Sequence, residues 1–223
     1  MSRSECELVE LKKFVKETKF YQRINFGDGI ITDAKFDSEK QLEAFHFDEV
    51  DFKNKTVCDL GCNAGFFSIE AKRRGAIAVD GFDNNRVQIT KAERVAEFLY
   101  QDCRFAKADI NNKAFGGFFG CYDIVLMLSL FHHVKYPIQV LETLGRITRE
   151  VAILEVKTKP IGNPRHLMGI PKAIKPRSEF PDPDLMKEAL LNIARFDAVT
   201  MWVDTTGKSD RVVYHCRKTK EVK

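Results

Sequence analysis

From residue 55 onward the chain alternates short apolar runs with stretches in which apolar side chains recur every three or four positions. The runs Thr56–Leu60, Ala76–Asp83, Cys103–Ile110, Tyr122–Leu128 and Val151–Val156 have the length and composition of buried strands. Ile89, Ala92, Ala96 and Leu99 form one helical stripe between the second and third runs, and Ile138, Leu141, Leu144 and Ile147 form another before the fifth. Strands buried on both faces and separated by helices make a parallel sheet covered on both sides. A helix over about 185–193 precedes Ala198–Val203 and Arg211–Cys216, which can return as an antiparallel hairpin pair. Ahead of this core, Leu8, Leu11, Phe14 and Val15 lie on one helical face. An aromatic segment, Phe20–Thr32, is broken by a Gly27-Asp28-Gly29 turn, and Ser38 to Gln41 has the spacing of a capping box opening a helix that carries Leu42 and Phe45 inward.

The junction after the first core run carries the chemistry. Thr56-Val57-Cys58-Asp59-Leu60 ends in the turn Gly61-Cys62-Asn63-Ala64-Gly65 and passes at Phe66 into a helical pattern. Gly61 and Gly65 admit a close backbone approach, and the free N–H groups opening the helix favour an electron-rich group. Asn63 is the non-glycine residue type best suited to a left-handed conformation. Asp83 ends the next run, 18 residues after Gly65, where a carboxylate accepts hydrogen bonds from the hydroxyls of a ribose. A nucleoside-containing cofactor is the expectation. The bland alternatives are glycines that only close strand–helix packing, and Asp83 and Asp109 as helix caps.

The loop reads D-x-G-x-N-x-G and resembles the first motif of class I S-adenosylmethionine-dependent methyltransferases. Cys103–Ile110, ending in Ala108-Asp109, resembles their third strand, and Tyr122–Val134 their fourth, which opens into the active-site loop before a helix beginning near Pro137. The resemblance implies a Rossmann-like seven-stranded, mostly parallel sheet with an antiparallel last strand, helices on both faces and an N-terminal helical extension. It also implies S-adenosylmethionine as the cofactor. Phe20–Thr32 is similar to the W-Y-H-x-I-x-x-G-x-G-x-x-T signature of a subgroup related to tRNA wobble-uridine carboxymethyltransferases, with Phe20 for Trp and Gln22 for His. Leu130-Phe131-His132 matches that subgroup's L-Y-H. From these positions, cofactor contacts are expected at Tyr21, Asp59, Gly61, Cys62, Asn63, Gly65, Phe66, Asp83, Asn84, Asp109, Ile110 and Leu128. Asp109 would read the base and Asp83 the sugar. Acceptor contacts are expected at Arg23 and Phe131. His132 is the candidate general base, with His133 in a secondary orienting role; the bland reading is that either only bonds backbone in its loop.

Composition leaves this picture standing. A chain of 223 residues, 44% hydrophobic and 30% charged, suits one domain: an extension over 1–50 packed on a catalytic domain over 51–223. No apolar run approaches the roughly 18 to 20 residues of a membrane span and the start lacks a signal-peptide core, so a cytoplasmic protein without a membrane partner is expected. The six cysteines contain no C-x-x-C and the five histidines no H-E-x-x-H, so no metal site is expected. A basic flap is expected over about 157–180, its part from Lys157 to Arg177 bearing four prolines and no Asp or Glu. Its Lys172, Lys175 and Arg177 make a candidate acceptor flap, with a solvated loop as the alternative. The leading function is methyl transfer to a small polar acceptor, anionic or sugar-like, at oxygen. An RNA wobble-base modifier and a non-catalytic cofactor-binding module are the alternatives.

Overall fold

The computed structural model describes residues 3–112, 115, 120–158, 181–203 and 211–219. Helix α1 (Glu5–Glu17) starts at a capping box in which Ser4 and Glu7 satisfy each other's backbone N–H, and it buries Leu11 completely. Strands β1 (Phe20–Gln22) and β4 (Ala34–Phe36) pair in parallel around a small hairpin of β2 (Asn25–Gly27) and β3 (Ile30–Ile31). Helix α2 (Ser38–Ala44) is capped by Asp37, whose side chain accepts from the Glu39 and Lys40 N–H groups. The cap therefore falls one residue before the Ser38 expected from sequence, where the carboxylate is the stronger acceptor.

The main sheet contains β5 (Thr56–Leu60), β6 (Ala78–Asp83), β7 (Arg104–Lys107), β8 (Tyr122–Leu128), β9 (Thr148–Lys157), β10 (Ala198–Val203) and β11 (Arg211–Arg217). Its spatial order is β10-β11-β9-β8-β5-β6-β7. β5 through β9 are parallel to one another, and β11 runs antiparallel to both β9 and β10. The chain enters this sheet at its centre and turns outward in both directions. The loops leaving β5, β6, β7 and β8 thus gather at one edge, which is where ligands settle in open α/β sheets.

Two apolar layers sandwich the sheet. On one side α1, α3 (Phe66–Arg73), α4 (Arg86–Phe98) and the N-terminal aromatic segment share a core with Val57, Val79 and Ile153. On the other, α5 (Pro137–Ile147) and α6 (Pro183–Asn192) cover Val125, Ala152 and Leu154. Alternate residues of one strand serve opposite layers, as the period of two requires. Two sequence expectations shift. Ile138 stands exposed because the buried stripe of α5 runs through Val140, Leu141, Leu144 and Ile147. The third strand stops at Lys107, so Asp109 lies in the turn beyond it.

Candidate active site

The turn after β5 is stiff and internally bonded. Gly61, Asn63 and Gly65 all have left-handed backbones, with φ of 79°, 50° and 81°. Gly61 and Cys62 donate their N–H groups to the Phe82 carbonyl at 2.7 and 2.9 Å, stitching the turn to β6. Asn63 N–H donates to Asp83 Oδ2, Ala64 N–H to Asn63 Oδ1 and Gly65 N–H to the Cys62 carbonyl. With these amides engaged, the loop offers no nest for a pyrophosphate. It suits a ligand lying alongside it, as a methionine chain would, and this separates the site from dinucleotide cradles. The space that Gly65 leaves is filled by protein: a Cβ there would lie 2.9 Å from the Phe105 ring.

A cleft of about 600 Å³ opens over the ends of β5, β6, β7 and β8. Ten of the residues expected from sequence line it: Tyr21, Gly61, Asn63, Asp83, Asn84, Asp109, Ile110, Leu128, His132 and His133. Asp83 is half-buried, its Oδ1 accepting from Asn85 N–H and its Oδ2 from Asn63 N–H, and its remaining lone pairs are available to hydroxyl donors. Asp109 is exposed, its Oδ1 accepting from Asn111 N–H. Since β6 and β7 are neighbours, the two carboxylates mark one end of the cleft, and the residues present fit a ribose and a base there. His132 and His133 lie in a short 3-10 turn after β8, ring centroids 4.2 Å apart, His132 half-buried and His133 exposed. Asn111 ties this turn to the far wall: its side chain donates to the His133 carbonyl and accepts from Lys135 N–H.

Six expected residues within the described regions lie elsewhere. Asp59 is buried beneath the turn, where its Oδ2 accepts a 2.6 Å hydrogen bond from Ser68. Burial raises its carboxyl to about 7, against the opposing pull of that bond. Cys62, Gly65 and Phe66 are buried under the loop, and Phe131 packs into the layer of α5 and α6. Arg23 is exposed and faces Asp37 at 3.9 Å. Lys172, Lys175 and Arg177 lie outside the described residues. Not assigned to the site from sequence were Ser129, Lys135 and Arg211, which line the cleft, Gln22, noted only as standing for the signature His, which also lines it, and Glu155, which is fully buried. A charged residue inside an apolar β9 run was the one available signal for Glu155.

Comparison with known proteins agrees with this geometry. Residues 51–200 match the model of a methyltransferase domain, and the chain belongs to that family. Among curated proteins it is similar to the tRNA U34 carboxymethyltransferase of Wolinella succinogenes, 28% identical over 120 residues, 53% of this chain and 41% of that one. It is also 24% identical over 172 residues to the enzyme so named from Helicobacter acinonychis, 75% of this chain and 61% of that one. The chain thus spans about half the length of these relatives. Of solved structures, the N-terminal domain of EvdMO1, determined with SAH and D-fucose, shares the fold with a TM-score of 0.74 at 17% identity, over 97% of this chain and all of that one. Magnesium protoporphyrin IX methyltransferase from Synechocystis does so at 0.62 and 18%, over 84% and 90%. No helix among the described residues is long and apolar enough to cross a membrane.

Proposed function

We propose that the chain transfers a methyl group from S-adenosylmethionine to an oxygen of a small polar, anionic or sugar-like acceptor, with His132 as general base. The observation that carries this reading is that His132 lines the cleft on the β8 side, across from the carboxylates of Asp83 and Asp109. When bound, the cofactor supplies an electrophilic methyl group on a sulfonium. Asp83 accepts from the ribose hydroxyls; Asp109 and the buried Ile110 hold the base. Gly61, Asn63 and Leu128 line the path between these groups and the histidines. Methyl transfer is an in-line displacement, so holding the acceptor oxygen in line supplies much of the acceleration. His132 takes the proton that the acceptor hydroxyl loses, and His133, held through its carbonyl by Asn111, orients the turn. Lys172, Lys175 and Arg177 are assigned to anionic groups of the acceptor on their charge alone. Six free cysteines favour the cytoplasm as the compartment.

A second reading, wobble-uridine modification in tRNA, draws on the printed names of the curated relatives. Label transfer from methyl-labelled cofactor into fractionated small metabolites and into RNA separates the two. Incorporation into RNA alone would sink the small-acceptor reading. In the active fraction, His132→Ala should lower kcat by about a hundred- to ten-thousandfold with cofactor affinity retained, and should remove the acid limb of the pH–rate profile. A variant that keeps that limb would return His132 to a structural role.

A further inference from the structure

A three-residue 3-10 turn has little of its own to hold it. The histidine turn, Phe131–His133, closes on the bonds from His133 N–H to the Leu130 carbonyl at 2.9 Å and from Val134 N–H to the Phe131 carbonyl at 3.1 Å. Phe131 anchors it in the same apolar layer as Ile110 and Phe115. One polar side chain then grips the main chain on both sides of Val134. Asn111 Oδ1 accepts from Lys135 N–H at 2.6 Å, and Asn111 Nδ2 donates to the His133 carbonyl at 3.3 Å. A main-chain N–H only donates and a carbonyl only accepts, so these partners fix which way the amide points. Asparagine fills both roles. Aspartate would set an oxygen against the His133 carbonyl, and alanine would release both groups.

The other end of this strap is the turn assigned to the base. Asn111 N–H donates to Asp109 Oδ1 at 2.9 Å and Asn112 N–H to the Asp109 carbonyl at 2.9 Å, so the carboxylate and the strap belong to one tight turn. This turn is joined to the end of β6, where Ala108 N–H donates to the Asp83 carbonyl at 3.0 Å. Asp83 Oδ2 accepts in turn from Asn63 N–H in the glycine-bearing turn. An unbroken run of hydrogen-bonded residues therefore leads from Asn63 through Asp83 and Asp109 to His133 and Lys135, and every one of them lines the cleft. A ligand has only to reach Asp83, which is half-buried, and Asp109, which is exposed. Asn111 acts on the histidine turn through the protein.

Seating a base against Asp109 takes freedom from the turn that carries Asn111, and so from the groups that Asn111 grips. We propose that Asn111 is a positioning residue that couples the two ends of the cleft: occupancy at Asp83 and Asp109 orders the histidine turn, and the acceptor end is completed only in the cofactor-bound protein. Acceptor binding then follows cofactor binding. The inference rests on the assignment of Asp109 to the base and of His132 to the acceptor.

The test uses the full chain with SAH as the probe and needs no acceptor. Hydrogen exchange of the Lys135 amide is followed by NMR with and without saturating SAH, and the ring resonance of His215, buried and bonded to the Phe45 carbonyl, reports an intact fold. In the parent, SAH should slow Lys135 exchange by about five- to 150-fold, the usual range of coupling between two sites. Asn111→Ala should lose this response, its exchange agreeing within about twofold with and without SAH. Its SAH affinity should stay within about threefold of the parent's, because the main-chain N–H that bonds Asp109 is kept. Asn111→Asp retains an acceptor for Lys135 N–H and should restore the response. Protection of Lys135 that is equal with and without SAH in the parent would overturn the coupling and leave a merely structural strap. That comparison needs no variant, so it decides the matter even if Asn111→Ala fails to fold. A response to SAH that survives in folded Asn111→Ala would overturn the proposal as well. Coupling as expected, in a protein whose His132→Ala variant keeps its acid limb, would leave the strap standing and sink the general-base reading.

Discussion

At Asp83 a single carboxylate does two things: it accepts from Asn63 N–H inside the loop and presents its remaining lone pairs to the cleft. Asp83→Ala should therefore weaken SAH binding by about one to two decades, since a charged hydrogen bond is worth on the order of 1.5–3 kcal/mol. It should also loosen the loop slightly. Calorimetry of a folded variant with parental affinity would remove Asp83 from the site. Asp59 behaves in the opposite sense. Its carboxyl is raised from an ordinary 3.8 to about 7 by burial, so the folded state binds the proton more tightly than the unfolded chain. The stability it contributes is fully present below about pH 4 and is lost as pH rises to about 7, at up to roughly 1.4 kcal/mol per pH unit within that window. Asp59→Asn keeps an acceptor for Ser68 and removes the titration. Its denaturant midpoint should fall less than the parent's between pH 4 and 7, and parallel curves would refute the assignment. The ionisable type at position 59 was plain in the sequence, but its burial was not, because that depends on the Phe66–Arg73 helix folding over it.

Among the helices, α5 meets the turn after α6 at backbone distance. A Cβ on Gly145 would lie 1.8 Å from the Ala194 carbonyl oxygen, so Gly145→Ala must displace main chain. Overpacking of this kind costs about 1–3 kcal/mol and outweighs the better helix propensity of Ala. Its Tm should drop by about 2 to 10 °C for a domain of this size. Gly120→Ala, with nothing within 4 Å of the added carbon, serves as control and should leave Tm unchanged. Equal melting of the two variants would show that the α5–α6 contact yields freely. The strands and helices themselves were legible, since period two and period 3.6 come directly from backbone geometry. Their ends were less so: Asp37 competed successfully with Ser38 as a cap, and the third strand released the chain at Lys107, ahead of Asp109.

For the whole molecule, folding and cofactor binding are linked. A ligand held only by the folded chain stabilises it by about 2.7 kcal/mol at a hundred times its Kd, which corresponds to a Tm rise of roughly 5–10 °C here. SAH should produce that rise in the parent, and a smaller one in Asp83→Ala at the same concentration. NAD should produce none, because the turn amides from Gly61 to Gly65 are already engaged and leave nothing for a pyrophosphate. A shift with NAD equal to that with SAH would contradict this reading of the loop.

The sequence alone was enough for the fold class, the glycine-bearing turn, the Asp83 and Asp109 pair and the histidine turn. The parallel core and the glycine-bearing turn follow from local periodicity, whereas Asp109 and the histidine turn came from the motifs they resemble, Asp109 standing beyond the end of its strand. The hydrogen-bonded cluster of Ser129, Glu155 and Arg211 was decided only by tertiary structure. Its members are separated by as many as 82 positions, and they meet because an antiparallel last strand brings its first residue to the edge where the parallel strands finish. No local pattern encodes that meeting. It is also what turns two charged residues, Arg211 and Glu155, into a neutral pair.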